Sequence, residues 1–316
     1  MNHYEITQYQ NSNYKQWNDF VSLAKNATFL FHRDFIEYHK QRFDDCSLMI
    51  YKQNKLVALV PANRLEDELH SHQGLTYGGI LYKAAVKGEQ VEEIIDAILR
   101  YLKEIGIKSF YLKQIPAFYS SIGNDETDFF LFKKGAVLYR KEMNLGINLN
   151  LPLSISNSKL KHFRKVERLG LEIEENSEFD PFWELVLEPR LQSKHQAKPV
   201  HSLSEIKFLK SQFPNNIIQY NVYCESEIIG GITIFKTDTV VKSQYGATTI
   251  KGEQLRAMDY LFIKLIEKYI SEGIFFFDMG IVGEKNEKGY NPGLLKQKEE
   301  LGCSIYNQDF YKLEVL

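Results

Sequence analysis

The sequence predicts an α/β protein made of two tandem copies of one unit, each a mixed, largely antiparallel sheet flanked by helices. Two observations carry that prediction. First, Val91, Ile94, Ile95, Ile98, Leu99 and Leu102 are matched, 167 residues on, by Met258, Leu261, Phe262, Leu265, Ile266 and Tyr269. Both sets recur at i, i+3, i+4, i+7 and i+8, the pattern of one buried helix face. Second, the same register brings Gly106 onto Gly273, Gly135-Ala136 onto Gly302-Cys303 and Tyr139 onto Tyr306. A repeat this long points to duplicated domains, not to a solenoid. Asn, Pro and Ser accumulate between 148 and 158, which places the domains at 1–150 and 151–316.

The elements follow in order. Helical stretches span 14–25 and continue to Phe43, and strands 47–51 and 56–63 flank the polar turn Lys52-Gln53-Asn54-Lys55. A glycine-rich segment, 70–79, separates them from helix 89–105, which stops at Gly106 because a C′ residue needs positive φ. Strand 107–112 and a closing hairpin, 131–149, end the first copy. The second begins with a short basic helix, 159–169, a strand at 171–174, and helices 181–191 and 202–213 around a polar loop. Strands 217–224, 228–236 and 240–248 lead to helix 254–272, strand 274–279, helix 291–301 and a last strand, 303–316. The tetrapeptide Lys-Gly-Glu-Gln stands before each long helix, at 87–90 and again at 251–254, shifted by three against the common register.

Composition narrows the classes. With 44% apolar and 13% aromatic residues, 316 residues suffice for two packed cores. A net charge of −2 provides no field toward nucleic acid or anionic lipid, so DNA is not an expected partner. The N-terminus has no basic, then apolar, leader, and no apolar run is long enough to span a bilayer. Cys46, Cys224 and Cys303 are odd in number and far apart, which fits a reduced, cytoplasmic compartment. No paired acids at metal spacing, nucleophile elbow or P-loop occurs, so no metal is expected.

The strand–loop–helix–strand order, with a late glycine before the closing strand, resembles the GCN5-related N-acetyltransferase (GNAT) fold. Two such units resemble the FemAB-type peptidyltransferases. The resemblance rests on the double copy, on His162-Phe163-Arg164-Lys165-Val166-Glu167-Arg168-Leu169-Gly170-Leu171, on Ser243-Gln244-Tyr245-Gly246-Ala247-Thr248, and on two C-terminal runs. Those runs are Phe277-Asp278-Met279-Gly280 and Leu294-Leu295-Lys296-Gln297-Lys298-Glu299-Glu300-Leu301-Gly302. It implies acyl or aminoacyl transfer to an amine of a nucleotide-linked sugar or cell-envelope precursor. No cofactor is tightly bound; acyl-CoA or aminoacyl-tRNA is the implied co-substrate, although charge gives tRNA no support. Here the loops at 86–90 and 250–254 hold one glycine and a glutamate each, not the family's glycine-rich diphosphate cradle. A binding protein that kept the tandem GNAT cleft without the chemistry is the alternative.

Candidate residues fall into four groups. In the polar loop 188–201, Arg190 suits a carboxylate or phosphate, and His195 and His201 suit proton transfer from an attacking amine. The competing view makes it a solvated loop in which His201 caps or packs on Phe208. On strand 240–248, alternation places Lys242, Gln244 and Gly246 on one face and Ser243, Tyr245 and Ala247 on the other. There Gln244 would orient the donor carbonyl and Tyr245 protonate the leaving group, or else one face is simply core. His72, Tyr77 and Gly78 would contact the acceptor, or form only a turn and bulge. Asp278 is a general base or a cap for the turn at Gly280, and Lys298 meets phosphate or lies on a solvated helix face.

Overall fold

The computed structural model describes residues 4–176 and 178–316. In chain order it shows β1 (Tyr4–Gln8), α1 (Tyr14–Val21), α2 (Arg33–Ile36), β2 (Asp44–Asp45), β3 (Leu48–Lys52), β4 (Lys55–Val60), β5 (Asn63–Leu65), β6 (Glu68–His70) and β7 (Leu81–Tyr82). The long helix α3 (Glu89–Glu104), β8 (Ser109–Lys113), α4 (Glu126–Lys133) and β9 (Val137–Asn148) follow. Next come α5 (Asn157–Glu167), β10 (Glu172–Asn176), α6 (Asp180–Phe182), a π-helical turn (Trp183–Leu187), α7 (Glu188–His195) and α8 (Leu203–Gln212). The chain ends with β11 (Ile217–Cys224), β12 (Glu227–Lys236), β13 (Val240–Thr248), α9 (Ile250–Gln254), α10 (Ala257–Ser271), β14 (Phe276–Ile281), α11 (Pro292–Glu300) and β15 (Ser304–Glu314).

Two compact units result: Met1–Glu142 with Asn307–Leu316, and Met143–Tyr306. The division therefore falls inside β9 instead of at 150, and the last ten residues rejoin the first unit. Strand pairing explains this: Phe310 to Glu314 pair with Lys113 to Ser109 of β8. The hairpin expected at 131–149 is instead the end of α4 and one long strand. Leu131 is helical because Gly135, at φ +77°, closes the helix.

In the first unit two sheets form, one ordered β1-β3-β4-β7, the other containing β15-β8-β6-β5-β2. Helix α3 buries Val91, Ile94, Ile95, Ile98 and Leu102 in a core shared with Ile50, Val60, Phe110 and Leu313. In the second unit the order is β10-β11-β12-β13-β14-β9, and every neighbouring pair is antiparallel except β13 with β14. Helix α10 buries Leu261, Leu265, Ile266 and Tyr269 against Ile232, Ile234 and Phe277. On the opposite face of β12, Phe182 packs so close to Gly231 that a Cβ there would stand 2.6 Å from its ring.

The predicted repeat reappears in the caps. Gly106 and Gly273 have φ +77° and +73°. Their N–H groups bond to Lys103 O and Ile270 O, and the next residues, Ile107 and Ile274, reach back to Leu102 O and Tyr269 O. Gly135-Ala136 and Gly302-Cys303 repeat that bonding behind α4 and α11.

Candidate functional site

In the second unit β13 and β14 run parallel but pair at only three positions, ending with Lys242 opposite Asp278. Beyond Lys242 the strand β13 continues to Thr248 with β12 as its sheet partner. The pairing of β12 with β13 slips between Thr233 and Ile234, which oppose Tyr245 and Ser243, so Gln244 is a bulged residue. This overturns the simple alternation. Lys242, Tyr245 and Ala247 oppose Phe235, Thr233 and Gly231 and share their face, while Ser243 and Gly246 share the other. Gln244 Oε1 is buried and has no hydrogen-bond partner, as has Asn144 Nδ2 on β9, opposite Ile281 of β14.

At the point where the strands part lies a group of buried charges. Asp278, 1% exposed, accepts from Lys242 Nζ at 3.0 Å and from the Gly280 N–H at 2.7 Å. The second bond caps the bulge that β14 makes between Asp278 and Gly280. Lys298 is buried, not spread on a solvated helix face, and donates at 3.0 Å to the carbonyls of both Gly280 and Ile281. Burial, then the charge of Lys242, pulls its ammonium down to about 8. Neighbouring Cys303 is a free thiol pushed up to about 12 by burial.

His201 and Tyr245 form a second pair. The Tyr245 hydroxyl accepts the His201 backbone N–H at 3.2 Å and is hydrogen-bonded to the ring Nδ1 as well. Burial pushes that hydroxyl up to about 12, so it keeps its proton at neutral pH. His201 is 4% exposed and its ring lies edge-on to Phe235 and Tyr245. It does not cap α8, whose N-cap is Ser202 in a capping box with Glu205.

The segment read as a polar loop begins as helix α7. Pro189 cannot donate to the carbonyl four residues back, and the chain widens just before it: the Glu188 N–H reaches Trp183 O across the π turn. Arg190 thereby sits on a helix, in an ion pair with Glu253 of α9; Lys194 stands 3.5 Å from the same carboxylate. His195 ends α7, and its side chain lies outside the described ones.

A cavity of about 620 Å³ opens beside these elements. Gly246, Ala247 and Thr248 of β13 form one wall, Arg190 and Lys194 another, and Gly252 to Gln254 with Arg256 a third. Lys159 and Asp259 complete it. The short basic helix thus gives its first lysine to the interior: Lys159 Nζ lies 2.7 Å from each Asp259 oxygen. Nothing local in the sequence signals that pair, the bulge at Gln244 or the seat of Glu253.

The first-unit candidates separate. His72 is 2% exposed, has φ +56°, and stacks on His39 at 5.1 Å; its Nδ1 is buried without a partner. Burial pulls its imidazole down to about 3, so it is neutral. Tyr77 belongs to the core, with its hydroxyl 2.9 Å from Thr28 Oγ1. Gly78 permits a close approach, but to the protein itself: a Cβ there would lie 1.8 Å from Ser71 O. His72 also lines a cavity of about 360 Å³ with His70, Tyr111, Lys113, Tyr139 and Arg140. Among the described residues no group of three His, Cys, Asp or Glu is placed to hold a metal, and no helix is long and apolar enough to cross a membrane.

The fold, with its parting strands, is a tandem GNAT-like fold. FemX has a TM-score of 0.70 at 10% identity, over 98% of this chain and 97% of that one. A tandem GNAT protein from the clavulanic acid biosynthesis pathway, solved without acetyl-CoA, gives 0.55 at 10% identity over 99% of both chains. The L-PGS of Bacillus licheniformis gives 0.56 at 16% identity over 81% of both. Neither a protein-family model nor a curated protein sequence matches the chain.

Proposed function

We propose that the protein is a cytoplasmic N-acyltransferase that moves an acyl or aminoacyl group onto an amine of a nucleotide-linked sugar or related cell-envelope precursor. The second unit is the donor side and the first, with the cavity at His72, the acceptor side. The observation that carries this reading is the parting of β13 from β14 after Lys242 and Asp278, beside a cavity walled by Gly246, Ala247 and Thr248 at the end of β13. Gln244, bulged out of the β12–β13 ladder with its Oε1 buried and unpartnered, stands two residues from that wall and supports the reading. The acyl donor is acyl-CoA or aminoacyl-tRNA, taken up as a co-substrate.

In the reaction the acceptor nitrogen bonds to the donor carbonyl carbon, and the carbonyl's thioester C–S or ester C–O bond breaks. Lys298, held near 8 with two N–H groups spent on carbonyls, has its lone pair for the amine proton when neutral. It then returns that proton to the leaving thiolate or alkoxide. Lys242 offsets the charge developing on the tetrahedral oxygen, and Asp278 holds Lys242 in place. His201 and Tyr245, bonded to each other, position the bulged strand.

The test is transfer from radiolabelled acetyl-CoA or aminoacyl-tRNA to a panel of amino sugars and their UDP conjugates. Lys298→Met should lower kcat about 100-fold or more and remove the limb near pH 8 from its profile. Full activity in that variant refutes its role. Tight ligand binding with no product from any donor would leave a binding protein in place of an enzyme.

A further inference from the structure

We infer that Arg190 and Lys194 form the seat of a phosphate-bearing ligand, and that the Glu253 carboxylate occupies this seat until the ligand displaces it. The inference rests on the reading of this cavity as the donor site and names the group by which the donor is gripped. Both cations come from one helix at i and i+4, so they present a single face to the cavity. The other carboxylate lining the cavity, Asp259, is held by Lys159 at 2.7 Å. Glu253 is therefore the anion that meets the α7 cations.

The two sides of that contact differ in freedom. The backbone of α9 is pressed against β12: a Cβ on Gly252 would lie 2.0 Å from Ile229 O. The Glu253 side chain is 57% exposed, while that of Arg190 is only 18% exposed. Glu253 can leave by rotating into solvent, with no movement of the helix, and Arg190 stays behind. A guanidinium fork matches two oxygens of a phosphoryl group as well as those of a carboxylate. A phosphate brings more negative charge than a carboxylate to a cavity whose lining also holds Lys194 and Arg256, the latter 3.5 Å from Asp259. Two sources carry this chemistry, the diphosphate of coenzyme A and the phosphodiester end of an aminoacyl-tRNA.

Calorimetric titration of the full chain with inorganic pyrophosphate tests the seat. Glu253→Gln should bind pyrophosphate about tenfold tighter than the unaltered protein, because the competing anion is gone. Arg190→Gln should abolish binding while leaving the melting temperature close to that of the unaltered protein. Unchanged or weaker binding by Glu253→Gln overturns the inference, as does full binding by Arg190→Gln. Repeating the titration with coenzyme A and with a short RNA ending in CCA identifies the source by which ligand shows the same gain; a gain with neither overturns it. Pyrophosphate binding that responds in this way without acyl transfer would preserve the seat and defeat the functional reading. Transfer with a pyrophosphate affinity indifferent to both variants would do the reverse.

Discussion

Lys159 and Lys298 show two ways of burying a lysine. Lys159 meets both carboxylate oxygens of Asp259, a partner 100 residues away in the chain. Lys298 has two carbonyls and a like charge nearby, and burial lowers its proton affinity to about 8 from 10.5. The unfolded chain therefore binds more protons than the native state between pH 8 and 10.5, and raising the pH through that window favours the fold. Lys298→Met removes this contribution. The stability of the unaltered protein, measured by urea unfolding relative to the Met variant, should rise across that interval; a flat difference would show that Lys298 titrates as an exposed lysine does. In the sequence, Lys159 was one of several cations spread around a helix and Lys298 one of a charge run. Their burial depends on Asp259, Gly280 and Ile281, which no local pattern links to them.

The repeated Lys-Gly-Glu-Gln separates what an element inherits from its sequence and from its surroundings. Gly88 has φ +48° and ψ −123° at the N-cap of α3, with nothing near its missing Cβ. Gly252 lies within α9 and is needed because Ile229 O is so close. One tetrapeptide thus has two conformations and two reasons for its glycine, so it is not a conserved cradle. Gly252→Ala should cost about 1–3 kcal/mol in chemical denaturation, because α9 must back away from β12. A variant as stable as the unaltered protein would show that α9 is not pressed there. The paired amphipathic helices and their glycine stops were legible because each rests on a local period and on an αL residue that mostly glycine tolerates. The bulge at Gln244 was not: it arises from the register between β12 and β13, and it moves Tyr245 onto the face of Lys242.

Across the whole molecule, duplication supplied two scaffolds with the same caps and different sheets. In the second unit β14 takes the parallel place beside β13. In the first, β8 pairs in parallel with β6 instead, from Glu68 opposite Ser109 to His70 opposite Tyr111. Helix α3 and strand β8 match α10 and β14, yet β7 is cut to two residues and meets β4. The gap between β13 and β14 in the second unit thus has no counterpart in the first, where β6, leading to His72, pairs with β8. On the proposed function, the donor would lie against residues 246–259 and the acceptor against the first unit. Hydrogen exchange of the full chain, with and without acetyl-CoA or aminoacyl-tRNA, tests that assignment most directly. Slowed exchange at 246–259 and along α7, with 70–79 unchanged, is the predicted result; protection confined to 70–79 would contradict it.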